Sequence, residues 1–215
     1  MSDNLHYILG LDLGQSNDYT ALAIAEMTGF DPPPIAIYWS DLKDREETET
    51  IYTFGHLERF PLHTPYTTIV QRVKALLAMP QFRGRTHLVV DSTGVGRPVI
   101  DLLRKEGLEP IAVTITAGVD VTNEDEHNYR VPKRDLVSNT QVLFQSNRIR
   151  IARRLPEADI LVQELMNFQT KITAAGNDIY GAWREGTHDD LVLAVALATW
   201  YGEKAIRRHP LAVFP

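Results

Sequence analysis

The sequence predicts an α/β fold: a mixed central sheet, part antiparallel meander and part parallel, flanked by helices on both faces. Three features carry this expectation. Three strand-like runs come first, and helices and strands then alternate, an order that yields a mixed sheet covered on both sides. Two short apolar runs, Tyr7-Ile8-Leu9-Gly10-Leu11-Asp12 and His87-Leu88-Val89-Val90-Asp91, each end in aspartate. Near the C-terminus, His188-Asp189-Asp190 opens a helix that is apolar almost all the way round.

Residues 5–13 read as a buried strand, followed by the turn Gly14-Gln15-Ser16-Asn17-Asp18. Residues 20–26 and 35–42 are the next two strands, separated by the turn-forming stretch Thr28-Gly29-Phe30-Asp31-Pro32-Pro33-Pro34, and the three together form the meander. Residues 43–66 read as polar and irregular. A helix follows at 67–79, where Ile69, Val73, Leu76 and Leu77 share one face. After the strand ending at Asp91 come the loop Ser92-Thr93-Gly94-Val95-Gly96 and a helix over 97–106, which Gly107 closes. Residues 110–115 form a further strand, and the acidic, turn-rich stretch 116–130 reads as mobile. Helices are expected at 133–145 and 157–168, a hairpin pairs 169–173 with 178–183, and the last helix runs from 188 to 204. With no internal repeat and no linker, residues 1–215 read as one domain.

The chain has 215 residues, is 44% hydrophobic and carries a net charge of −6. That length supports one well-cored domain. It has no apolar run of about 18 residues, which argues against a membrane span, and its first residues lack the pattern of a signal peptide. The absence of cysteine removes disulfides and thiolate zinc sites, and fits a cytoplasmic protein. The negative charge argues against a protein that coats nucleic acid by bulk attraction, but not against a nuclease whose site holds metal.

The acids carry the chemistry. Each has a structural explanation when taken alone: Asp12 and Asp91 stand where strands meet turns, and Thr187 with Asp190 forms a capping box at a helix start. Their conjunction is harder to explain that way. Acids at the ends of the first and fourth strands and on a late helix are the order of the ribonuclease H-like fold. If the strands are parallel neighbours, Asp12 and Asp91 emerge at one sheet edge, and the buried helix brings in Asp189 and Asp190. Crowded carboxylates repel and raise one another's pKa unless cations neutralise them. Two metal ions about 4 Å apart activate a water and stabilise the leaving oxygen of a phosphodiester. An all-oxygen donor set favours two Mg2+ or Mn2+ ions over zinc. His188 is a possible auxiliary ligand or proton carrier.

Three stretches resemble the nuclease domain of tailed-phage large terminases: Ile8-Leu9-Gly10-Leu11-Asp12-Leu13-Gly14, Val89-Val90-Asp91-Ser92-Thr93-Gly94-Val95-Gly96 and His188-Asp189-Asp190-Leu191-Val192-Leu193-Ala194. Val131-Pro132-Lys133-Arg134-Asp135-Leu136-Val137 is similar to a stretch of terminase-like proteins. The resemblance implies a metal-dependent endonuclease that cuts double-stranded concatemeric DNA during phage genome packaging. It implies Asp12 and Asp91 as the first two metal-binding acids and the Asp189–Asp190 pair as the third, without choosing within the pair. It also implies an ATPase packaging motor, a small terminase and a portal as partners in the cytoplasm of a bacterial host, phage- or prophage-encoded. The Gly-x-x-x-x-Gly-Lys-Ser/Thr loop of such a motor is absent from this chain, so the sequence reads as a nuclease domain, a separate subunit or a prophage remnant.

Other readings stand beside this one. A junction-resolving or RNA-cleaving nuclease of the same fold would share the metal site. Gly10-Leu11-Asp12-Leu13-Gly14-Gln15-Ser16 is similar to the first phosphate loop of actin-like and sugar-kinase ATPases. A non-catalytic phage assembly module would keep the acids as caps. For a nuclease, Arg97, Lys133, Arg134 and Arg184 are the candidate contacts to DNA phosphates.

Overall fold

The computed structural model describes residues 6–14, 18–29, 49–94, 96–167, 169–172, 178–181 and 189–208. Strand β1 (His6–Asp12) pairs antiparallel with β2 (Ala21–Thr28), which pairs antiparallel with β3 (Ile51–Arg59). Helix α1 (Tyr66–Leu77) then crosses to β4 (Thr86–Asp91), which lies parallel to β1. Helix α2 (Gly96–Lys105) leads to β5 (Pro110–Thr116), parallel to β4. Next come β6 (Thr122–Asn123), β7 (Asn128–Pro132) and α3 (Lys133–Gln145). The chain continues through β8 (Ile149–Ile151), α4 (Ala158–Asn167), the hairpin of β9 (Gln169–Ile172) and β10 (Asp178–Gly181), and α5 (Asp190–Arg208). The main sheet has the order β6-β7-β5-β4-β1-β2-β3-β8.

The meander and the parallel half are thus as the sequence predicts, with two corrections. The third meander strand is Ile51–Arg59, inside a stretch read as irregular; the strand expected at 35–42 lies outside the described residues. Its alternation is broken by a register shift where it meets Ile24 and Ala25, which hides the period-two pattern. The stretch read as mobile holds β7, which adds a parallel strand beside β5. Only Tyr129 and Val131 of that strand belong to the apolar core cluster, too few to show as a run. Strand β8 is three residues long and escapes periodicity altogether.

Strand alternation sorts the interior into two layers. Leu9, Leu11, Leu22, Leu88 and Val90 pack with Val73 of α1 and Leu103 of α2 on one face. Ile8, Ala23, Val89 and Val113 pack with Leu136 of α3, Leu161 of α4 and Leu191, Val192 and Ala194 to Ala198 of α5 on the other. Helix α5 is buried all round from Leu191 to Ala198, as its apolar sequence requires. At the other end of the molecule its Glu203 accepts from Tyr52 Oη at 2.8 Å and pairs with Arg148. Gly107 closes α2 with φ of +78°, and Leu108 N–H bonds to Leu103 C=O at 3.0 Å. No described helix is long and apolar enough to cross a membrane.

Candidate metal centre

Leu11 and Val90 are register partners in the parallel β1–β4 pair, so Asp12 and Asp91 each follow by one residue at the same sheet edge. Alternation also sets their direction. Asp12 lies two residues beyond Gly10 and Asp91 two beyond Val89, so both carboxyls project to the face covered by α5. Both are nearly closed to solvent, at 7% and 8% exposure. Asp190, at the start of α5, is 4% exposed and faces the same place.

The electrostatics follow from that crowding. Burial pushes the Asp12 carboxyl well above the ordinary aspartate range, and the nearby charges of Asp91, Asp190 and Asp189 push it further, against a smaller opposing pull from Lys133. Asp91 is raised by burial too, restrained by hydrogen bonds from Thr93 and from Asp12. Of the two strand-end carboxyls, Asp12 is pushed up the more strongly. They resist double ionisation in the absence of further positive charge. Turn geometry fixes both. Thr93 N–H donates to Asp91 Oδ1 at 2.8 Å, Ser92 N–H reaches Val113 C=O across the edge, and Gly14, just beyond Asp12, is bonded by Thr20 and Tyr66.

Each member of the acidic pair has a basic partner. Lys133 Nζ donates to Asp189 Oδ2 at 3.0 Å and Arg59 Nη2 donates to Asp190 Oδ2 at 2.9 Å. With those carboxylates so turned, no three acidic or histidine side chains among the described residues already form an ion's ligand shell. Magnesium does not require one. It keeps several waters and is commonly held by one or two carboxylates together with substrate phosphates. The Asp12–Asp91 pair, buried, all-oxygen and short of positive charge, fits such an ion.

Two participants escape a reading of the sequence alone. Glu164 of α4 is 6% exposed, and its Oε2 accepts from Leu191 N–H at 3.0 Å and Val192 N–H at 3.2 Å, two donors in the first turn of α5. Burial lifts its pKa to about 7, with a further push from Asp190. Arg59 ends β3 on the α5 face, two residues beyond buried Leu57. Both carry a signal once the elements are known, since Glu164 falls three residues after buried Leu161 and an acid on an apolar face needs partners. Glu164 supplies an acceptor at the start of α5 that the Thr187–Asp190 capping box does not include. Thr187 lies outside the described residues, and the Leu191 and Val192 donors belong to Glu164.

The expected basic contacts divide. Lys133 is drawn inward to Asp189, and Arg134 donates to Val119 C=O and pairs with Asp135. Arg97 is exposed and borders a groove of about 490 Å³ that runs from Ser92 and Gly94 to Arg104 and Arg130, with Asp101 and Glu124 also on its walls. His188 and Arg184 lie outside the described residues. Gly10 has a packing role: a Cβ there would meet the backbone of α5.

No family model matches the chain. It is 26% identical over 192 residues to the large terminase subunit of Thermus phage G20c, covering 89% of this chain and 31% of that protein. The chain thus spans about a third of the length of the curated relatives it matches. Crystal structures of the large terminase nuclease from thermophilic phage G20c superpose with TM-scores of 0.60 (bound magnesium) and 0.62 (bound cobalt). They are 23% and 24% identical, and each comparison covers 92% of this chain and 82% of the other. The fold of this chain is that of the ribonuclease H-like nuclease domain of large terminases.

Proposed function

We propose that the chain is a divalent-metal-dependent endonuclease that cuts double-stranded DNA, acting as the nuclease of a phage packaging terminase. The observation that carries this reading is the placement of Asp12 and Asp91 side by side, buried, on adjacent parallel strand ends, with Asp189 and Asp190 brought over them by α5. Asp12 and Asp91 would hold Mg2+ or Mn2+, with the Asp189–Asp190 pair completing a two-ion site. When bound, the metal supplies a water of lowered pKa and stabilisation of the leaving oxygen. The relatives' magnesium- and cobalt-bound structures support divalent metal.

The remaining work belongs to the chain. The two strand ends hold their carboxyls at a fixed separation, because each follows a ladder of backbone hydrogen bonds and a locked turn. Asp12 and Asp91 are buried beneath the start of α5, and that exclusion of water strengthens their pull on a cation. Arg97, with Arg104 and Arg130 along the adjoining groove, would meet phosphates of the strand that passes the site. A packaging ATPase motor, a small terminase and a portal are the proposed partners, on the likeness to a large terminase subunit. They would deliver DNA that an acidic domain of net charge −6 holds weakly by itself.

The test is cleavage of supercoiled plasmid by the purified chain with Mn2+ or Mg2+, with and without EDTA, beside Asp12→Asn. Metal-dependent nicking that Asp12→Asn abolishes supports the reading. Equal nicking by both proteins, or none by the wild type on linear, supercoiled or branched DNA, overturns it.

A further inference from the structure

Arg59 occupies an unusual position for a charged side chain, and its surroundings account for it. It sits at the end of β3 with its side chain 16% exposed, where three other elements meet. Its Nη2 donates to Asp190 Oδ2 at 2.9 Å. The same nitrogen lies 3.8 Å from Glu164 Oε1, an electrostatic contact rather than a hydrogen bond. Its guanidinium carbon lies 3.8 Å above the ring of Tyr19, in the turn that follows Asp12. Phe60 N–H bonds to Thr20 C=O at 2.9 Å, so the backbone just beyond Arg59 is fastened to that same turn. Glu164 in turn holds the Leu191 and Val192 N–H groups in the first turn of α5.

We infer that Arg59, braced by Glu164, is a positioning residue for Asp190: it fixes which carboxylate oxygen faces Asp12 and where α5 begins. The inference rests on Asp190 being a metal ligand, as proposed above. One oxygen of Asp190 is engaged by Arg59, and the carboxylate cannot rotate without breaking that bond. Glu164 stops the helix from sliding along its axis, because its carboxylate is bonded to backbone donors rather than to a movable side chain. Tyr19 stops the guanidinium from swinging away. The planar fork is essential to this arrangement, since it reaches a carboxylate along its edge while stacking its face on a ring. A lysine ammonium could supply the charge but not both contacts.

Binding of Mn2+ to the whole chain, followed by loss of the free-ion electron paramagnetic resonance signal with no DNA present, tests this without turnover. Residues that orient metal ligands typically change metal affinity by about 10–100-fold when replaced. Arg59→Lys is expected to fold, with far-ultraviolet circular dichroism unchanged, yet to bind Mn2+ at least about tenfold more weakly. Glu164→Gln, which keeps one acceptor for the α5 donors, is expected to weaken binding less. In an Asp190→Asn background, Arg59→Lys should add less than about twofold, because a residue that acts through Asp190 has nothing left to position. Wild-type or tighter Mn2+ binding by Arg59→Lys, or losses that multiply in the double variant, overturns the inference while leaving the nuclease reading intact. Wild-type binding by Asp190→Asn itself removes Asp190 from the site, and this inference with it.

Discussion

A Cβ added to Gly10 would lie 2.0 Å from the carbonyl oxygen of Ala194, so β1 and α5 touch backbone to backbone at this point. This close approach sets the geometry of the acidic cluster. Asp190 precedes Ala194 by four residues, about 6 Å along the helix, and Asp12 follows Gly10 by two, about 6.7 Å along the strand. The two steps match, which brings Asp190 level with Asp12.

Gly10→Ala should therefore be costly in both stability and chemistry. Overpacking typically costs about 1–3 kcal/mol, and here the clash is with backbone, which cannot rotate away. Urea unfolding should show a decrease at or above that range. Metal-dependent cleavage should fall even at temperatures where the variant is folded, because α5 must move off the sheet. Wild-type stability would show that α5 does not press on β1 at Gly10.

Asp12→Asn should reduce metal-dependent cleavage by orders of magnitude and raise stability in EDTA. The substitution keeps the shape and removes a buried carboxyl whose ionisation is opposed by burial and by three neighbouring carboxyls. For a chain of this size each kcal/mol gained shifts Tm by roughly 2–4 °C. Thermal melts in EDTA and in Mn2+ check both halves, and Mn2+ should stabilise the wild type far more than the variant.

In EDTA, stability should fall as pH rises. Glu164 moves from 4.5 to about 7 on folding, and Asp12 and Asp91 are also raised. Between the unfolded and folded values the native state binds more protons than the unfolded chain, so the slope of stability against pH is negative. The Glu164 contribution is complete by about pH 7 and amounts to at most about 3 kcal/mol. Melts at pH 5 and pH 7.5 measure it, and Glu164→Gln should flatten the profile. A divalent cation should oppose the fall, most strongly at the higher pH.

The acidic pair should be separable. Asp190→Ala strands Arg59 but leaves the α5 donors on Glu164, whereas Asp189→Ala releases the more exposed Lys133 and keeps the backbone bond from Leu193 N–H to Asp189 C=O. Asp190→Ala should thus cost more stability, since breaking a buried pair costs about 3–5 kcal/mol and the Lys133–Asp189 pair is only half-buried. Comparing urea midpoints with Mn2+ cleavage rates for the two variants separates structural cost from chemistry.

Reversal of charge at Arg97 and Arg130 together should weaken duplex DNA binding and flatten its salt dependence, by about one unit of log-log slope for each phosphate that the protein no longer neutralises. Both side chains are exposed, so Tm and Mn2+ binding should not change. Anisotropy titrations over a range of salt concentrations read the slope. Reversal at Lys133 and Arg134 should behave differently, because it also leaves Asp189 facing a like charge.

The sequence by itself determined the features written in local pattern. Apolar runs that end in aspartate located β1 and β4, the all-apolar run after Asp190 required a buried helix, and the order of acids along the chain specified which sheet and which helix would meet. Each of these follows from periodicity and burial over a handful of adjacent residues. Tertiary structure decided what depends on partners distant in the chain. The third meander strand hides behind a register shift, and β7 buries too few side chains to form a pattern. Arg59 meets Asp190 across 131 positions and Glu164 meets Leu191 across 27, so their charges read as ordinary surface groups until the fold places them together. Gly10 likewise reads by sequence as part of a strand or of a phosphate loop, and only the passage of α5 across it shows that its missing side chain makes room for a backbone. The carboxylates could be named from the chain, but their separation, burial and counter-charges are properties of the packed elements alone.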